Sequence, residues 1–290
     1  MQNENSACWM NGEIIPAEKA VVSVFDHGLL YGDGVFEGIR YYNGKAFRLG
    51  EHLQRLQDSA TVLSLNIPYT QAVLIKAVDD LIAKSGNKDG YIRLVVTRGV
   101  GSLGVDPANC HEPTVVLMAS ALSIVPLEKR RQGLNVMIAG SRRMPVDVLD
   151  PRVKSLNYLN NVMAKMQANA AGMDEAIMLN AQGNIAEGSA DNVFLVKNGN
   201  LLTADVSSGA LEGITRNIVI QLARDNGITV SESRLTPYDL YTADECFLTG
   251  TGAELLPVVE VDGRKMKTCP GEMFKLIEAG FRRTIQKETQ

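Results

Sequence analysis

The chain has 290 residues, 45% hydrophobic and 21% charged, enough apolar material for two domains with cores and too much for a disordered chain. A net charge of −4 with no basic stripe excludes an electrostatic nucleic-acid binder, and no apolar run of about eighteen residues exists to cross a bilayer. The four cysteines form no Cys-x-x-Cys pair and the three histidines are scattered, so no metal is expected; the N-terminal MQNENSACW lacks the basic and apolar regions of a signal peptide, and the reading is cytoplasmic.

The segment Trp9–Ile15 reads as a hairpin turned at Asn11-Gly12. From Val21 to Arg40, glycines and aspartates interrupt strand-like residues, but no helical pattern follows them, so they are not a dinucleotide fingerprint. Asn43-Gly44 turns Ile39–Tyr42 into Ala46–Leu49. Leu49, Leu53, Leu56, Ala60 and Leu63 then mark an amphipathic helix, with Arg55 beside its apolar stripe. A helix over 70–85 ends near Gly86, and Tyr91–Arg98 is a strand whose alternation puts Tyr91 and Arg93 on one face. Thr114–Met118 closes this half as a strand, and the polar run 126–133 reads as an interdomain linker. The predicted division is a small domain over 1–125, that linker, and a larger domain over 134–290.

The second half opens with a strand at Asn135–Ala139 and an irregular stretch ending at Pro151. Lys154 follows at a loop-to-helix junction, ahead of the helical pattern Leu156, Leu159, Val162, Met163, Met166. Taken alone it reads as a solvated surface lysine; a lysine amine becomes a covalent catalyst where burial or nearby positive charge favours its neutral form. Glu175–Leu179 is a strand turned by Gln182-Gly183-Asn184 into a second over Ile185–Val196, which carries Glu187 in apolar context. A buried carboxylate needs a partner, and a cationic ring nitrogen is one; an edge-strand charge in water is the alternative. Leu211–Arg216 opens a helix, where Gly213 and Thr215 suit either a phosphate or a simple N-cap. Thr249-Gly250-Thr251-Gly252 is a second turn able to offer N–H groups to an anion. Lysine, carboxylate and two phosphate cradles together are the parts of a pyridoxal-phosphate site.

Five ordered segments, Phe25–Arg40, Val153–Asn161, Glu187–Phe194, Leu211–Arg216 and Thr249–Glu254, together resemble a class IV, fold-type IV pyridoxal-phosphate aminotransferase. Tyr91-Ile92-Arg93 and Gly101-Ser102-Leu103-Gly104-Val105 are most similar to the branched-chain amino-acid aminotransferases within it. The resemblance implies an α/β (α+β type) fold: a small N-terminal α/β domain, a larger C-terminal pseudo-barrel domain, and the cofactor pyridoxal 5′-phosphate lying between them.

The resemblance also implies roles. Lys154 would hold the cofactor and shuttle the substrate proton, Glu187 would pair with the ring nitrogen, and Tyr158 would bond the phenolic oxygen. Arg55, the backbone of Ile214 and Thr215, and Thr251 would hold the phosphate. Tyr91 with the N–H groups of Thr251 and Gly252 would take the α-carboxylate. Phe36, Tyr31 and Val105 would line the side-chain pocket, the last two from a partner subunit, and Arg93 would meet the distal carboxylate of glutamate. A homodimer at least, with a hexamer as an alternative, is expected, acting on amino acids and 2-oxo acids, with no nucleic-acid or membrane partner.

Two departures bear on substrate breadth: 120–131 carries no aromatic residue, and glycine stands at 252 where relatives often have alanine. A D-amino-acid aminotransferase is the nearest rival, but Arg98-Gly99-Val100 lacks the histidine of that subgroup. An aminodeoxychorismate lyase is disfavoured by Tyr91-Ile92-Arg93, and a pyridoxal-phosphate carrier by the presence of both Lys154 and Glu187. Activity on (R)-amines enters as an alternative because Arg98 adds positive charge.

Overall fold

The computed structural model describes residues 7–121 and 125–290; the first six residues of the N-terminal segment read above, and residues 122–124 at the end of the predicted small domain, lie outside them. The chain divides into two compact units, Met1–Leu122 with Val153–Asn157 and Ile285–Gln290, and Ser123–Arg152 with Tyr158–Thr284. Among the described residues no helix is long and apolar enough to cross a membrane.

In the first unit, β1 (Ala7–Met10) and β2 (Glu13–Pro16) form the predicted hairpin, with Asn11 and Gly12 at φ 47° and 103°. These are the positive angles a tight two-residue hairpin turn demands. A short helix follows, α1 (His27–Tyr31), capped by Asp26 and ended by left-handed Gly32. The sequence reading has no helix there, because one turn is too short to show a period. Next come β3 (Gly34–Tyr42), β4 (Lys45–Ala46), α2 (Leu49–Val62), α3 (Gln71–Ser85), β5 (Gly90–Thr97) and β6 (Thr114–Ser120). The six strands make an antiparallel sheet in the order β2-β1-β6-β5-β3-β4.

Alternation along β3 and β5 gives this sheet two different faces. Val35, Ile39, Tyr41, Ile92 and Leu94 pack with Leu53, Leu56 and Ala60 of α2 and Leu74, Val78 and Leu81 of α3 into one core. Each buried Val, Leu or Ile among them contributes about 1.5–3 kcal/mol. The opposite face carries Phe36, Tyr91, Arg93 and Val95, since Phe36 pairs with Val95 and Gly38 with Arg93.

The second unit begins with α4 (Leu127–Gln132), a helix where composition reads as linker. Then come β7 (Leu134–Ile138), α5 (Leu159–Ala170), β8 (Glu175–Leu179), β9 (Ile185–Gly188), β10 (Asn192–Lys197), β11 (Asn200–Ala204), α6 (Ile214–Asp225), β12 (Val230–Ser233), α7 (Pro237–Thr242), β13 (Glu245–Gly250), β14 (Glu254–Val261), β15 (Arg264–Lys265) and α8 (Glu272–Glu288). The single strand expected over Ile185–Val196 is two: β9 pairs with β8, whereas β10 pairs with β11 and β13. Ser189–Asp191 makes the break, which lets one segment supply both the edge strand β9 and the interior strand β10 of a mixed sheet ordered β12-β11-β10-β13-β14-β7-β8-β9. The observed architecture is the expected α/β class.

Helix α5 turns its apolar stripe outward. Leu159, Val162, Met163 and Met166, the residues that announce it, are exposed (71%, 48%, 50% and 63%), while Asn161, Ala164 and Ala168 are buried. Small side chains let the helix lie close to β8, where Ala164 and Ala168 pack with Ala176 and Met178.

Candidate active site

In the first unit, residues 153–157 run as an extra extended segment beside β3. The Phe36 amide donates to the Lys154 carbonyl (2.9 Å) and the Leu156 amide to the Gly34 carbonyl (2.9 Å), around a bridge between Val35 and Ser155. The Lys154 amide donates to Ser59 Oγ on α2 (3.1 Å). The lysine side chain leaves this anchored backbone so that Nζ stands 4.6 Å from the centre of the Phe36 ring.

The guanidinium of Arg93 stands 4.6 Å from the same ring and 5.4 Å from that of Tyr91, within cation–π range. Tyr91 lies across the sheet because position 38 is glycine: a Cβ there would fall 1.8 Å from Tyr91 Oη. Lys154, Phe36, Arg93 and Tyr91 are thus brought together on one side of the small sheet. Tyr31 and Val105 are exposed at the surface of this unit (38% and 82%).

Arg55 is held by a residue the sequence reading passes over. Glu37, fully buried on the core face of β3, accepts Arg55 Nε on Oε1 (2.7 Å), Arg55 Nη2 on Oε2 (2.9 Å) and His52 Nδ1 on Oε2 (2.8 Å). Burial pushes the Glu37 carboxyl up, but the Arg55 charge and the His52 bond outweigh it and hold it well below the usual carboxylate range. Burial lowers the His52 imidazole below its ordinary value against the Glu37 bond, and the charges of Arg55 and Lys154 lower it further. Two signals are legible in the sequence: alternation puts Glu37 beside Val35 and Ile39, and His52, Arg55 and Ser59 recur at helical spacing.

Arg98, the positive charge that raised the (R)-amine alternative, has its own partners. It makes a two-pronged pair with Asp33 (2.9 and 3.0 Å) and donates to the Leu63 and Ser64 carbonyls at the end of α2, where a cation also meets the negative end of the helix dipole.

In the second unit, Glu187 on β9 is 5% exposed. Its Oε1 lies 2.8 Å from Arg143 Nε and its Oε2 accepts the Leu211 amide (2.8 Å). Arg143 is itself held by Asn161 Oδ1 (3.2 Å), and Asn161 donates to the Ser189 carbonyl (2.8 Å). Neither Arg143 nor Asn161 carries a signal in the sequence, since one lies in an irregular loop and the other on the unmarked face of α5. Tyr158 precedes the first turn of α5.

Helix α6 starts at Ile214, and its N-cap residue, Gly213, has no side chain with which to cap the first turn. A larger residue at 213 would have to displace the Asn192 side chain, because a Cβ would fall 2.1 Å from Asn192 Oδ1. An uncapped twelve-residue helix start suits a phosphate, and a buried carboxylate suits a cationic ring nitrogen. Thr251 and Gly252 form the turn between β13 and β14. Among the described residues no group of acids, histidines and cysteines could hold a metal ion.

The amino-transferase class IV family matches over residues 34–261. A putative branched-chain-amino-acid aminotransferase of Methanocaldococcus jannaschii is 51% identical over 275 residues, 94% of each chain. Among solved structures, the branched-chain aminotransferase of Thermoproteus uzoniensis with norvaline superposes with a TM-score of 0.91 at 38% identity, covering 98% of this chain and 96% of that one. A T.th. branched-chain amino acid aminotransferase complexed with N-(5′-phosphopyridoxyl)-L-glutamate does so at 0.91 and 37%, with the same coverage.

Proposed function

The chain belongs to the class IV aminotransferases, and within that family we propose that it is a branched-chain amino-acid aminotransferase, moving the amino group of L-leucine, L-isoleucine or L-valine to 2-oxoglutarate. The observation that carries this reading is the cluster of Lys154, Phe36, Arg93 and Tyr91 on one sheet face, joined to near-complete coverage of relatives that bear that name. Pyridoxal 5′-phosphate, when bound, supplies an aldehyde carbon that takes up the amino group and a ring that accepts electrons.

The chain's own residues do the rest. Lys154 would hold the cofactor and move the proton to and from the substrate carbon, acting as general base and acid. Glu187 would pair with a protonated ring nitrogen and keep the ring an electron acceptor, and Tyr158 would bond its phenolic oxygen. Arg55, the amides of Ile214 and Thr215, and the Thr251 hydroxyl would be the groups to take the phosphate. Tyr91 and the amides of Thr251 and Gly252 receive the α-carboxylate. Phe36 offers an apolar wall to an aliphatic side chain, and Arg93, stacked on that wall, meets a distal carboxylate when glutamate occupies the same space.

Tyr31 and Val105 serve the site of a second subunit. Their exposure, and that of the apolar stripe on α5, supports a homodimer or a larger assembly.

The test is the visible spectrum of the purified protein with L-leucine and then 2-oxoglutarate. L-leucine should bleach the bound-cofactor band and the oxo acid restore it. A band that D-alanine bleaches and L-leucine leaves intact would replace this reading with a D-amino-acid aminotransferase.

A further inference from the structure

His27 takes no part in the chemistry assigned above, yet it is 1% exposed and its contacts are specific. Its Nε2 lies 2.9 Å from the Ser102 carbonyl. A carbonyl oxygen only accepts, so Nε2 carries the proton in this contact. The ring packs edge-to-face on Tyr31, with centroids 4.9 Å apart and planes at 85°. The imidazole therefore touches Tyr31 on one side and the loop 101–105 on the other.

The surroundings fix the ring between them. The His27 amide donates to the Gly99 carbonyl (2.9 Å) and the Gly101 amide to the Phe25 carbonyl (3.2 Å). Asp26, buried, accepts from the Gly28 amide and from the hydroxyls of Thr97 and Thr114 at 2.8–2.9 Å. Gly101 leaves no slack, since a Cβ there would fall 2.7 Å from His27 Nε2 and 2.4 Å from Cys110 Sγ. Around this buried ring the surface is apolar and exposed, with Phe25, Leu29 and Tyr31 on the helix side and Leu103 and Val105 on the loop side. Among the described residues, the contacts of this buried ring thus join two exposed apolar segments.

We propose that His27 is a positioning residue for the substrate pocket of the neighbouring subunit, tying Tyr31 and the 101–105 loop together so that Tyr31 and Val105 enter that pocket as one rigid element. This rests on the reading that those two residues line the pocket across the dimer. The imidazole acts through them, by one hydrogen bond and one ring contact, and touches neither cofactor nor substrate.

Three variants of the holoenzyme test it. His27→Phe keeps the ring contact and loses the donor; His27→Gln keeps an amide donor within reach of the Ser102 carbonyl and loses the ring; Tyr31→Ala tests the pocket itself. Either His27 variant should raise KM for L-leucine on the order of 10-fold, the scale of one lost buried contact. Turnover at saturation and the cofactor spectrum should stay within about 2-fold of the parent. Having both variants keeps the test open if one fails to fold.

A hybrid dimer gives the decisive reading. One subunit carries the His27 variant and the other Lys154→Ala, so the surviving lysine site belongs to the His27-variant chain and borrows its Tyr31 and Val105 from a chain with intact His27. Parental KM in the hybrid supports action across the dimer; a KM that stays raised overturns it. If neither His27 variant moves KM while Tyr31→Ala does, the inference fails and the pocket stands. If Tyr31→Ala also leaves KM unchanged, the pocket assignment and the inference fall together.

Discussion

Each unit buries one glutamate against an arginine, and the two pairs are built differently. Glu37 meets side chains on both oxygens, and its partners His52 and Arg55 come from a single helix stripe. Glu187 meets Arg143 on one oxygen and a loop amide, that of Leu211, on the other, and Arg143 comes from irregular chain. A carboxylate enclosed by regular elements is a fixed post for its arginine. A carboxylate finished by loops draws its partners from chain that no period marks. The first arrangement fits the proposed phosphate anchor and the second the proposed partner of a cofactor ring.

The largest expected effect leaves both pairs intact. Lys154→Ala should lower turnover by at least about 10³-fold, as removal of a covalent and proton-transferring group does, with the urea unfolding midpoint unchanged. Next, Glu187→Gln should cost about 10²–10⁴-fold in kcat and also lose stability through the uncompensated Arg143 charge. Adding Arg143→Gln should recover that stability without the activity, a separation that stopped-flow kinetics and denaturant titration would read together. Recovery of activity in the double variant would contradict the assigned role of Glu187.

Glu37→Gln should act the other way round. Stability should fall by about 3–5 kcal/mol, as when one member of a buried ion pair is removed, and cofactor affinity by equilibrium dialysis should weaken because Arg55 loses its post. Unchanged affinity would mean that Arg55 is no phosphate anchor.

The smallest effect is a pH dependence. His52 is lowered from an ordinary value of 6.5 and Glu37 from 4.5, so in both cases the unfolded chain takes up protons first. Stability is therefore full above the ordinary histidine value and declines as pH falls below it, with a further decline below the carboxylate value. One histidine contributes a slope of at most about 1.4 kcal/mol per pH unit. His52→Gln should flatten the stability curve between pH 7 and 5, measurable by urea midpoints across that range.

Much of this is readable in the chain. The Asn-Gly hairpins, α2, α3, β5 and β8 follow from turn chemistry and period, because their local preferences and their packing agree. Helix α5 is legible as a helix but not by its face, because its apolar residues look outward and its buried side is made of Asn161 and alanines. Periodicity locates the most apolar stripe of a helix, and that stripe is the buried one only where no second surface is waiting for it. Arg143 could not be found, since pairing with Glu187 44 positions away depends on how loops close rather than on any spacing. Glu37 could have been: a lone carboxylate on the inward face of a strand must have partners, and the polar stripe of the next helix supplies them.

The segment that carries Lys154 has a consequence for timescale. Its amide is tied to Ser59, its carbonyl to Phe36, and the residue two positions on to Gly34. The lysine side chain thus springs from a clamped backbone. In the proposed role, moving a proton would call on side-chain rotations, which in general run on the picosecond-to-nanosecond scale, and not on this hydrogen-bonded backbone. In deuterated solvent the Phe36 and Leu156 amides should exchange among the slowest in the protein, although they flank the proposed catalytic lysine.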